Sequence, residues 1–205
     1  MPEEGMKVKR TNSAQASVAI VVLIVFLAVL ALASRPLSAR ANTLYVCPSG
    51  CQFSSIEAAL QQSQPGDTVS VGQGTYYEHI WLRGGVRVQG AGADKTVLTC
   101  DNPWPAVVGY PQETAGAVLD GFTIICDSPN SALHFDYPHE KETVSNCVIK
   151  NSTGQWHSGG VYIAFGATPT IISNTFVSNA LTDGAGGGAI LVDNAAPLIK
   201  GNTFL

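Results

Sequence analysis

A histidine, a carboxylate and a phenol at short spacing are the strongest candidates for chemistry in this sequence. His134 and Asp136 are two residues apart, so a β-strand would place both side chains on one face. Tyr162 follows His134 at the interval of the sequence repeat described below. A histidine beside a carboxylate can act as an acid or a base, and a tyrosine can bind or protonate a ligand oxygen. We assign these three as candidate catalytic residues; the alternative is an ordinary solvated face.

Two tryptophans in predicted loops are candidate substrate-binding residues. Trp104 lies between two prolines, and Trp156 lies in a turn rich in glycine and serine. Flat indole rings pack well against sugar faces, and binding residues tend to collect on loops that a rigid scaffold supports. Trp81, within an apolar stretch, is instead expected to cover part of the core.

A repeat in the sequence must position these side chains. Asn146, Asn174 and Asn202 recur at an equal spacing of about 28 residues, within the range of solenoid repeats, and a second matching segment stands half a period before each. The segments are short, rich in β-branched residues and interrupted by Gly, Asn and Pro, which predicts strands and turns. A period of this length predicts an all-β solenoid of five or six rungs. The recurring Asn is explained by a left-handed turn or by a ladder of side-chain hydrogen bonds.

Strand alternation then predicts which side chains face the core. The expected inward residues are Leu133, Phe135, Val161, Ile163, Ala189 and Leu191, and Phe176 and Phe204 should stack with Val148. The same phase puts Asp136 beside Ala164 and Val192, and Asp193 beside Phe165 and Tyr137. In that register no two carboxylates stack, which disfavours a hydrolase.

The segments before the coils predict an export signal and a cap. Residues 1–41 contain the apolar run Val18–Ala33 after three basic residues, which is typical of a signal peptide or an uncleaved membrane anchor. Residues 42–67 form the predicted N-terminal cap, and residues 68–205 the coils. Ser54 and Glu57 form a capping-box pattern that predicts a short capping helix from Ile56.

The charge balance narrows the classes of partner. Charged residues make up 13% of the chain and there are 21 glycines, which disfavours a coiled coil or a helical bundle. Residues 42–205 carry six basic and thirteen acidic residues, a net charge of −7. This excludes nucleic acid as an expected partner, and an acidic polymer would be repelled unless a cation bridged it. No metal-ligand spacing of Cys and His is present.

Several motifs resemble the opening of pectin-lyase-like proteins with parallel β-helix repeats. They are Ser55–Leu60, Pro65–Val69, Gly74–Tyr76 with Glu78, Gly90–Gly92 and Lys95–Val97; the segments Pro169–Phe176 and Pro197–Phe204 resemble the later coils. The resemblance implies a right-handed parallel β-helix. It implies an enzyme that acts on polysaccharides, either a lyase or a glycoside hydrolase. A calcium requirement is implied only for the lyases, which use calcium-binding carboxylates with a basic Arg or Lys. Two tetrapeptides, at 176–179 and 187–190, are similar to repeats of non-catalytic outer-membrane adhesins.

The five cysteines fit an exported protein. If Cys100 and Cys126 occupy successive rungs, their spacing suits a disulfide, and Cys47–Cys51 would close a small loop. Cys147, in phase with Thr175, would be the free thiol.

The sequence therefore predicts a secreted or cell-surface protein that binds or processes a polysaccharide or a cell-surface glycan, with no assigned cofactor. The alternatives are a non-catalytic adhesin-like or structural solenoid, and a truncated lyase or hydrolase. Membrane contact is expected only through residues 18–33 if they are not cleaved. Because no capping pattern follows Phe204, we expect a fragment or a chain completed by another.

Overall fold

The computed structural model describes Leu23 and residues 40–101, 104–109, 116–127, 129–138, 141–183 and 186–205; of Asp101 and Asp127 only the backbone is described. The predicted signal or anchor segment, apart from Leu23, Arg40 and Ala41, lies outside the described residues, and the division into cap and coils stays a prediction. Within the part of the chain that is described, no helix has the length and apolarity of a membrane span. Everything below concerns residues 40–205.

The secondary structure consists of short strands and one short helix. In the first half of the chain these are β1 (Thr43–Val46), α1 (Ile56–Gln62), β2 (Thr68–Val71), β3 (Gly74–Tyr77), β4 (Ile80–Leu82), β5 (Arg87–Gly90), β6 (Thr96–Asp101), β7 (Val107–Gly109), β8 (Val118–Asp120) and β9 (Thr123–Asp127). In the second half they are β10 (Leu133–Phe135), β11 (Thr143–Ser145), β12 (Val148–Lys150), β13 (Thr153–Gly154), β14 (Val161–Ala164), β15 (Thr170–Ile172), β16 (Thr175–Val177), β17 (Ala180–Leu181), β18 (Ile190–Asp193), β19 (Leu198–Lys200) and β20 (Thr203–Phe204).

All strand pairs are parallel, and they form three sheets along a solenoid of about five turns. Sheet A has the order β1-β2-β5-β8-β11-β15-β19, and sheet C has the order β4-β7-β10-β14-β18. Sheet B contains β3, β6, β9, β12, β13, β16, β17 and β20. From β2 onward the chain visits A, B and C in turn, so each circuit adds one rung to every sheet. The predicted parallel β-helix is confirmed.

Columns of apolar side chains fill the interior. In sheet A the buried column runs Leu44, Val69, Val88, Leu119, Val144 and Ile171, one residue from each successive strand. In sheet B, Phe176 pairs with Ile149 and stacks on Phe204 with ring centroids 5.1 Å apart. The predicted partner Val148 was wrong, because it lies opposite Thr175 in a rung that is shorter than the repeat by a single residue.

The register of sheet C also differs from the prediction in its last rung. Leu133 pairs with Val161 at the predicted spacing of one repeat, but Val161 pairs with Ile190, the residue after the predicted partner Ala189. Ile190 and Val192 therefore lie on the inward face, and Leu191 lies opposite Tyr162 on the outward face. The placement of Leu191 in the core was wrong, since the connection before β18 is longer than the connection before β14.

The helix begins at Ile56, as predicted, but its N-cap is not the residue that the capping-box pattern indicates. Ser55, and not Ser54, is the N-cap, and its Oγ accepts from the Ala58 N–H at 3.1 Å. The carboxylate of Glu78 accepts from the N–H groups of Ile56 and Glu57, each at 3.0 Å, and from the hydroxyl of Ser55. Glu57 bonds the Trp81 N–H at 2.9 Å and closes no capping box. These bonds fix α1 against the first turn of the coil.

The repeated asparagines have two different structural roles. The left-handed position of the turn between sheets A and B is occupied by Gly121, Asn146, Ser173 and Gly201, whose φ angles are 77°, 52°, 57° and 64°. Asn174 and Asn202 follow that position and form a ladder, in which the Asn174 N–H and Nδ2 donate to Asn202 Oδ1 at 2.8 and 3.1 Å. Cys147 occupies the next place in the ladder, because its N–H donates to Asn174 Oδ1 at 2.9 Å.

Both predicted disulfides are formed, and they close loops of very different length. Cys100 and Cys126 are paired residues of β6 and β9 with Cα atoms 5.0 Å apart, and Cys47–Cys51 has a Cα separation of 5.5 Å. Cys147 is free and buried, and burial raises the pKa of its thiol to about 12. The first bridge ties two rungs together, whereas the second lies within one loop.

Replacing the cysteines pairwise with alanine should separate these contributions. The sequence separations are 26 and 4, and longer loops lose more unfolded-state entropy on cross-linking. We expect the double variant C100A/C126A to lose about 3.5 kcal/mol of unfolding free energy and C47A/C51A about 2 kcal/mol. Urea titrations of the oxidised proteins measure both values. A larger loss in C47A/C51A would contradict the assigned register of β6 and β9.

Candidate functional site

The outward face of sheet C carries the candidate residues. Because successive strands pair in parallel, one outward side chain from each strand falls into a common column. This column runs Trp81, Val108, His134, Tyr162 and Leu191, from β4 to β18. Asp136, two residues after His134, begins a second outward column beside it. The face is thus built from side chains that alternate with the buried core residues.

An open groove of about 120 Å³ lies along the first three strands of this face. Its lining residues are aromatic and apolar at one end and polar at the other: Trp81, Trp104, Pro105, Val108, Asn130, His134, Asp136 and Tyr137. The predicted binding residue Trp104 and two predicted catalytic residues, His134 and Asp136, therefore share one cavity. Ligand sites typically combine such apolar walls with a few polar groups.

The loop that carries Trp104 is held by a hydrogen bond to its backbone. His79 Nδ1 lies 2.9 Å from the Pro105 carbonyl oxygen, and the disulfide-bonded sulfur of Cys126 packs 3.8 Å from the Trp104 carbonyl oxygen. The Cys100–Cys126 disulfide closes the end of β6 just before this loop. The Trp104 side chain itself is 61% exposed. Its backbone is thus fixed while its indole ring faces solvent.

His134 and Asp136 form a hydrogen-bonded pair at the polar end of the groove. His134 Nε2 lies 3.0 Å from Asp136 Oδ2, and both side chains are more than half buried. His134 Nδ1 is buried and has no hydrogen-bond partner. Nε2 is therefore the ring nitrogen that donates to the Asp136 carboxylate.

Tyr162 lies beside this pair but is covered by a residue that sequence analysis missed. The ring of His157 stacks on the Tyr162 ring with centroids 4.0 Å apart and planes 16° apart, and His134 contacts Tyr162 edge-on at 4.9 Å. Tyr162 is only 5% exposed. The structure brings the three predicted catalytic residues together, but a ligand above the sheet would meet His157 before Tyr162.

The turn that holds His157 is tightly fixed. The N–H groups of Gln155 and Trp156 donate to the Pro129 carbonyl at 2.8 and 3.2 Å, and Ser158 Oγ lies 3.3 Å from Ser131 Oγ. A Cβ atom at Gly160 would collide with the Ala189 carbonyl oxygen of the next rung. This close approach requires glycine, and the Gly159-Gly160 pair is the sequence signal that marks the turn.

The surroundings of the stacked His157 and Tyr162 rings keep both side chains uncharged. Burial, with a smaller effect of His134, lowers the pKa of His157, against an opposing effect of Asp136. Burial also raises the pKa of Tyr162, and the carboxylates of Asp193 and Asp136 raise it further. At neutral pH His157 is therefore an uncharged imidazole and Tyr162 a protonated phenol. The stack is not a source of positive charge for the groove.

The corrected register brings a second carboxylate into the column of Asp136. Asp193 pairs with Ala164. Asp136 follows Phe135, the last residue of β10 that pairs with β14, and continuing that register by one residue sets Asp136 opposite Ala164. Two strand spacings of about 4.8 Å put the two backbones roughly 9.6 Å apart. Besides burial, both carboxylates contribute to the raised pKa of Tyr162. Asp136 and Asp193 lie two rungs apart and do not stack on each other. The aspartates that pair in neighbouring rungs are Asp101 and Asp127 of β6 and β9, against the prediction that no two carboxylates stack.

The remaining predicted binding residue lies elsewhere. Trp156 is 64% exposed and is not part of the groove lining, although its neighbour His157 covers Tyr162. Its role in binding stays a prediction.

The described residues do not fit a calcium site. Calcium takes six to eight oxygen ligands, and no group of three or more His, Cys, Asp or Glu side chains is suitably arranged in the ranges given above. No step below involves a bound cation.

The Asp120 carboxylate is the centre of a polar cluster on sheet A. It accepts from Arg87, from Gln89 Nε2 at 3.3 Å and from Asn146 Nδ2 at 2.8 Å. These hydrogen bonds tie neighbouring strands together.

Comparison with known proteins supports the fold. No protein-family model and no curated protein sequence matches the chain. Among solved structures, the chain is similar to a mutant pectin methylesterase in complex with a hexasaccharide, with a TM-score of 0.51 and 12% sequence identity. The match covers 79% of this chain and 67% of that chain. The chain is therefore a parallel β-helix protein with the fold that pectin methylesterase adopts.

Proposed function

We propose that the groove on sheet C binds a glycan, and that the protein binds or processes carbohydrate outside the cytoplasm. The observation that carries this proposal is the convergence of Trp81 and Trp104 with His134 and Asp136 in one open cavity. Indole faces pack on sugar rings, while a histidine and a carboxylate can hydrogen-bond the ring hydroxyls. An open groove, unlike a closed pocket, admits the middle of a polymer.

Two further observations support the proposal. The pectin methylesterase that shares the fold was solved with an oligosaccharide. The two disulfides are typical of proteins that fold in an oxidising compartment, where extracellular glycans are met. A non-catalytic surface protein and an enzyme would both use such a groove, so glycan binding is the shared first step.

The matched variants W104A and W156A test glycan binding. Both tryptophans are exposed to a similar degree, but only Trp104 lines the groove. We expect W104A to weaken binding about 30-fold, which corresponds to the loss of roughly 2 kcal/mol at an aromatic hot spot. We expect W156A to change the affinity less than threefold. Isothermal titration with neutral and acidic oligosaccharides of several linkages measures the affinities.

Two results would contradict the proposal. One is the absence of binding by the unaltered protein to every oligosaccharide tried. The other is an equal loss of affinity in the two variants, which would place the ligand outside the groove.

A second candidate function, glycoside hydrolysis, is favoured by the column of Asp136, Ala164 and Asp193. Hydrolysis of a glycosidic bond needs one carboxyl group to protonate the leaving oxygen and a second to activate water. Inverting enzymes place these groups about 6.5–9.5 Å apart, and two strand spacings give nearly that separation. Asp136 would serve as the general base, held in position by its hydrogen bond with His134, and Asp193 would serve as the general acid.

A further inference from the structure

We propose that the glycan taken by this groove is neutral, and that polymers of uronic acids are excluded. The inference rests on the glycan-binding function proposed above and adds the chemical class of the ligand. It follows from the negative charge in the groove lining and from the lack of Lys and Arg residues near the groove.

The described lining of the groove has one carboxylate and neither Lys nor Arg. Asp136 is a lining residue, and Asp193 extends the same column two rungs further along the face. Among the lining residues that the structure describes, none is Lys or Arg. The imidazoles of the site add no cation for an acidic ligand: burial lowers the pKa of His157, which is not a lining residue, and His134 Nε2 is directed to the Asp136 carboxylate.

Loops outside the described ranges have no basic residue to add. Residues 102–103, 110–115, 128, 139–140 and 184–185 include Glu113 and Glu140 but no Lys or Arg. Between Lys95 and Lys200 the sequence has only two basic residues, Lys141 and Lys150. Lys150 is in β12 of sheet B, and Lys141 lies in the connection from β10 of sheet C to β11 of sheet A. Neither residue is part of the described groove lining.

Arg83 is the one basic residue that directly follows a described strand of sheet C. It comes after Leu82 at the end of β4, on the first rung. In register it is two rungs from Asp136, and it already has an interaction partner within the chain. Arg83 lies at the end of the groove and already has a partner, so its positive charge would not offset the negative charges of Asp136 and Asp193.

A polyuronate carries one negative charge on every sugar, so several carboxylates would line up along the column of Asp136 and Asp193. Like charges brought together in a partly desolvated groove oppose binding, and this repulsion falls when salt screens it. A neutral polymer of the same backbone lacks that repulsion. Its hydroxyl groups can instead donate hydrogen bonds to the Asp136 carboxylate.

Pairs of hexasaccharides that differ only in charge test the inference. Suitable pairs are cellohexaose with its C6-oxidised form, β-1,4-mannohexaose with the mannuronan hexamer, and a galacturonan hexamer with its full methyl ester. In every pair that binds, we expect the neutral member to bind at least tenfold more tightly by calorimetry. Raising the NaCl concentration should improve the affinity of the acidic member and leave the neutral one within twofold.

The variants D136N and D183N provide a matched control, since each removes one negative charge. Asp183 is exposed and bonds Gln155 at 3.2 Å, outside the groove lining. D136N should reduce the neutral-to-acidic preference at least threefold, and D183N should leave it unchanged. Equal effects of the two variants would assign the preference to net charge and overturn the inference.

The possible outcomes separate the two proposals. An acidic hexamer that binds as tightly as its neutral partner, with either EDTA or CaCl₂ present, overturns the inference and leaves glycan binding intact. If no member of any pair binds, both proposals fail.

Discussion

Replacing Asn174 with alanine is expected to lower the free energy of unfolding by about 3–5 kcal/mol, whereas N146G should lower it by less than about 1 kcal/mol. Asn174 is 1% exposed, its Oδ1 accepts from the Cys147 N–H and its Nδ2 donates to the Val144 carbonyl at 2.9 Å. Alanine would leave both backbone groups buried without partners, and each such loss costs about 1–3 kcal/mol.

The Asn146 variant is a stringent control because the sequence repeat makes the two asparagines look equivalent. Asn146 is exposed at a φ of 52°, a conformation that glycine adopts without strain. The N146G variant would lose one hydrogen bond to Asp120, whose carboxylate would still accept hydrogen bonds from Arg87 and Gln89. Urea unfolding followed by circular dichroism measures both changes. Similar losses in the two variants would show that Asn174 is not in the ladder.

Removing either carboxylate of the Asp136–Asp193 column is expected to lower the rate of glycan hydrolysis at least 100-fold, if hydrolysis is the reaction. General acid and general base catalysis each contribute about 10²- to 10⁴-fold, and an amide can perform neither. The variants are D136N and D193N, and the measurement is the release of reducing ends from the neutral glycans that bind. D183N, equal in charge and outside the groove, should retain the rate within twofold.

The product also reports on the geometry. A separation near two strand spacings leaves room for water between the second carboxylate and the sugar, so the released sugar should have the inverted anomeric configuration by NMR. Full activity in D193N would remove Asp193 from the mechanism. If the unaltered protein binds a glycan and releases no reducing ends, hydrolysis is refuted while glycan binding stands.

The repeat in the sequence was sufficient to predict the solenoid and part of its register. Gly, Asn and Pro at regular spacing mark turns, and the separation of Cys100 and Cys126 matched one rung, so their pairing was predicted and is confirmed. The pairing of His134 with Tyr162 was predicted for the same reason. In these rungs the turn lengths agree with the spacing that the sequence suggests.

The errors arose where turns change length. The rung from Val148 to Thr175 is shorter than the sequence repeat by a single residue, and the rung from Val161 to Ile190 is longer by the same amount. A prediction with a constant repeat length therefore assigned Asn146 to the asparagine ladder and left Asp193 outside the column of Asp136. Turn length has no signature in strand alternation, because both registers give acceptable apolar patterns. His157 was missed for a different reason, since its ring comes from a turn and not from a strand of the repeat.

The longer connection before β18 has a consequence for how such a protein can change over evolutionary time. In a strand, a shift by one residue exchanges the inward and outward sets of side chains. At β18 the longer connection, which contains Gly186–Gly188, presents Leu191 and Asp193 to the groove face and keeps Ile190 and Val192 inward. A gain or loss of glycine in one connection can thus give a rung a new surface without altering any residue of its strand. Insertions, and not only substitutions, would then be a source of new specificity in this solenoid.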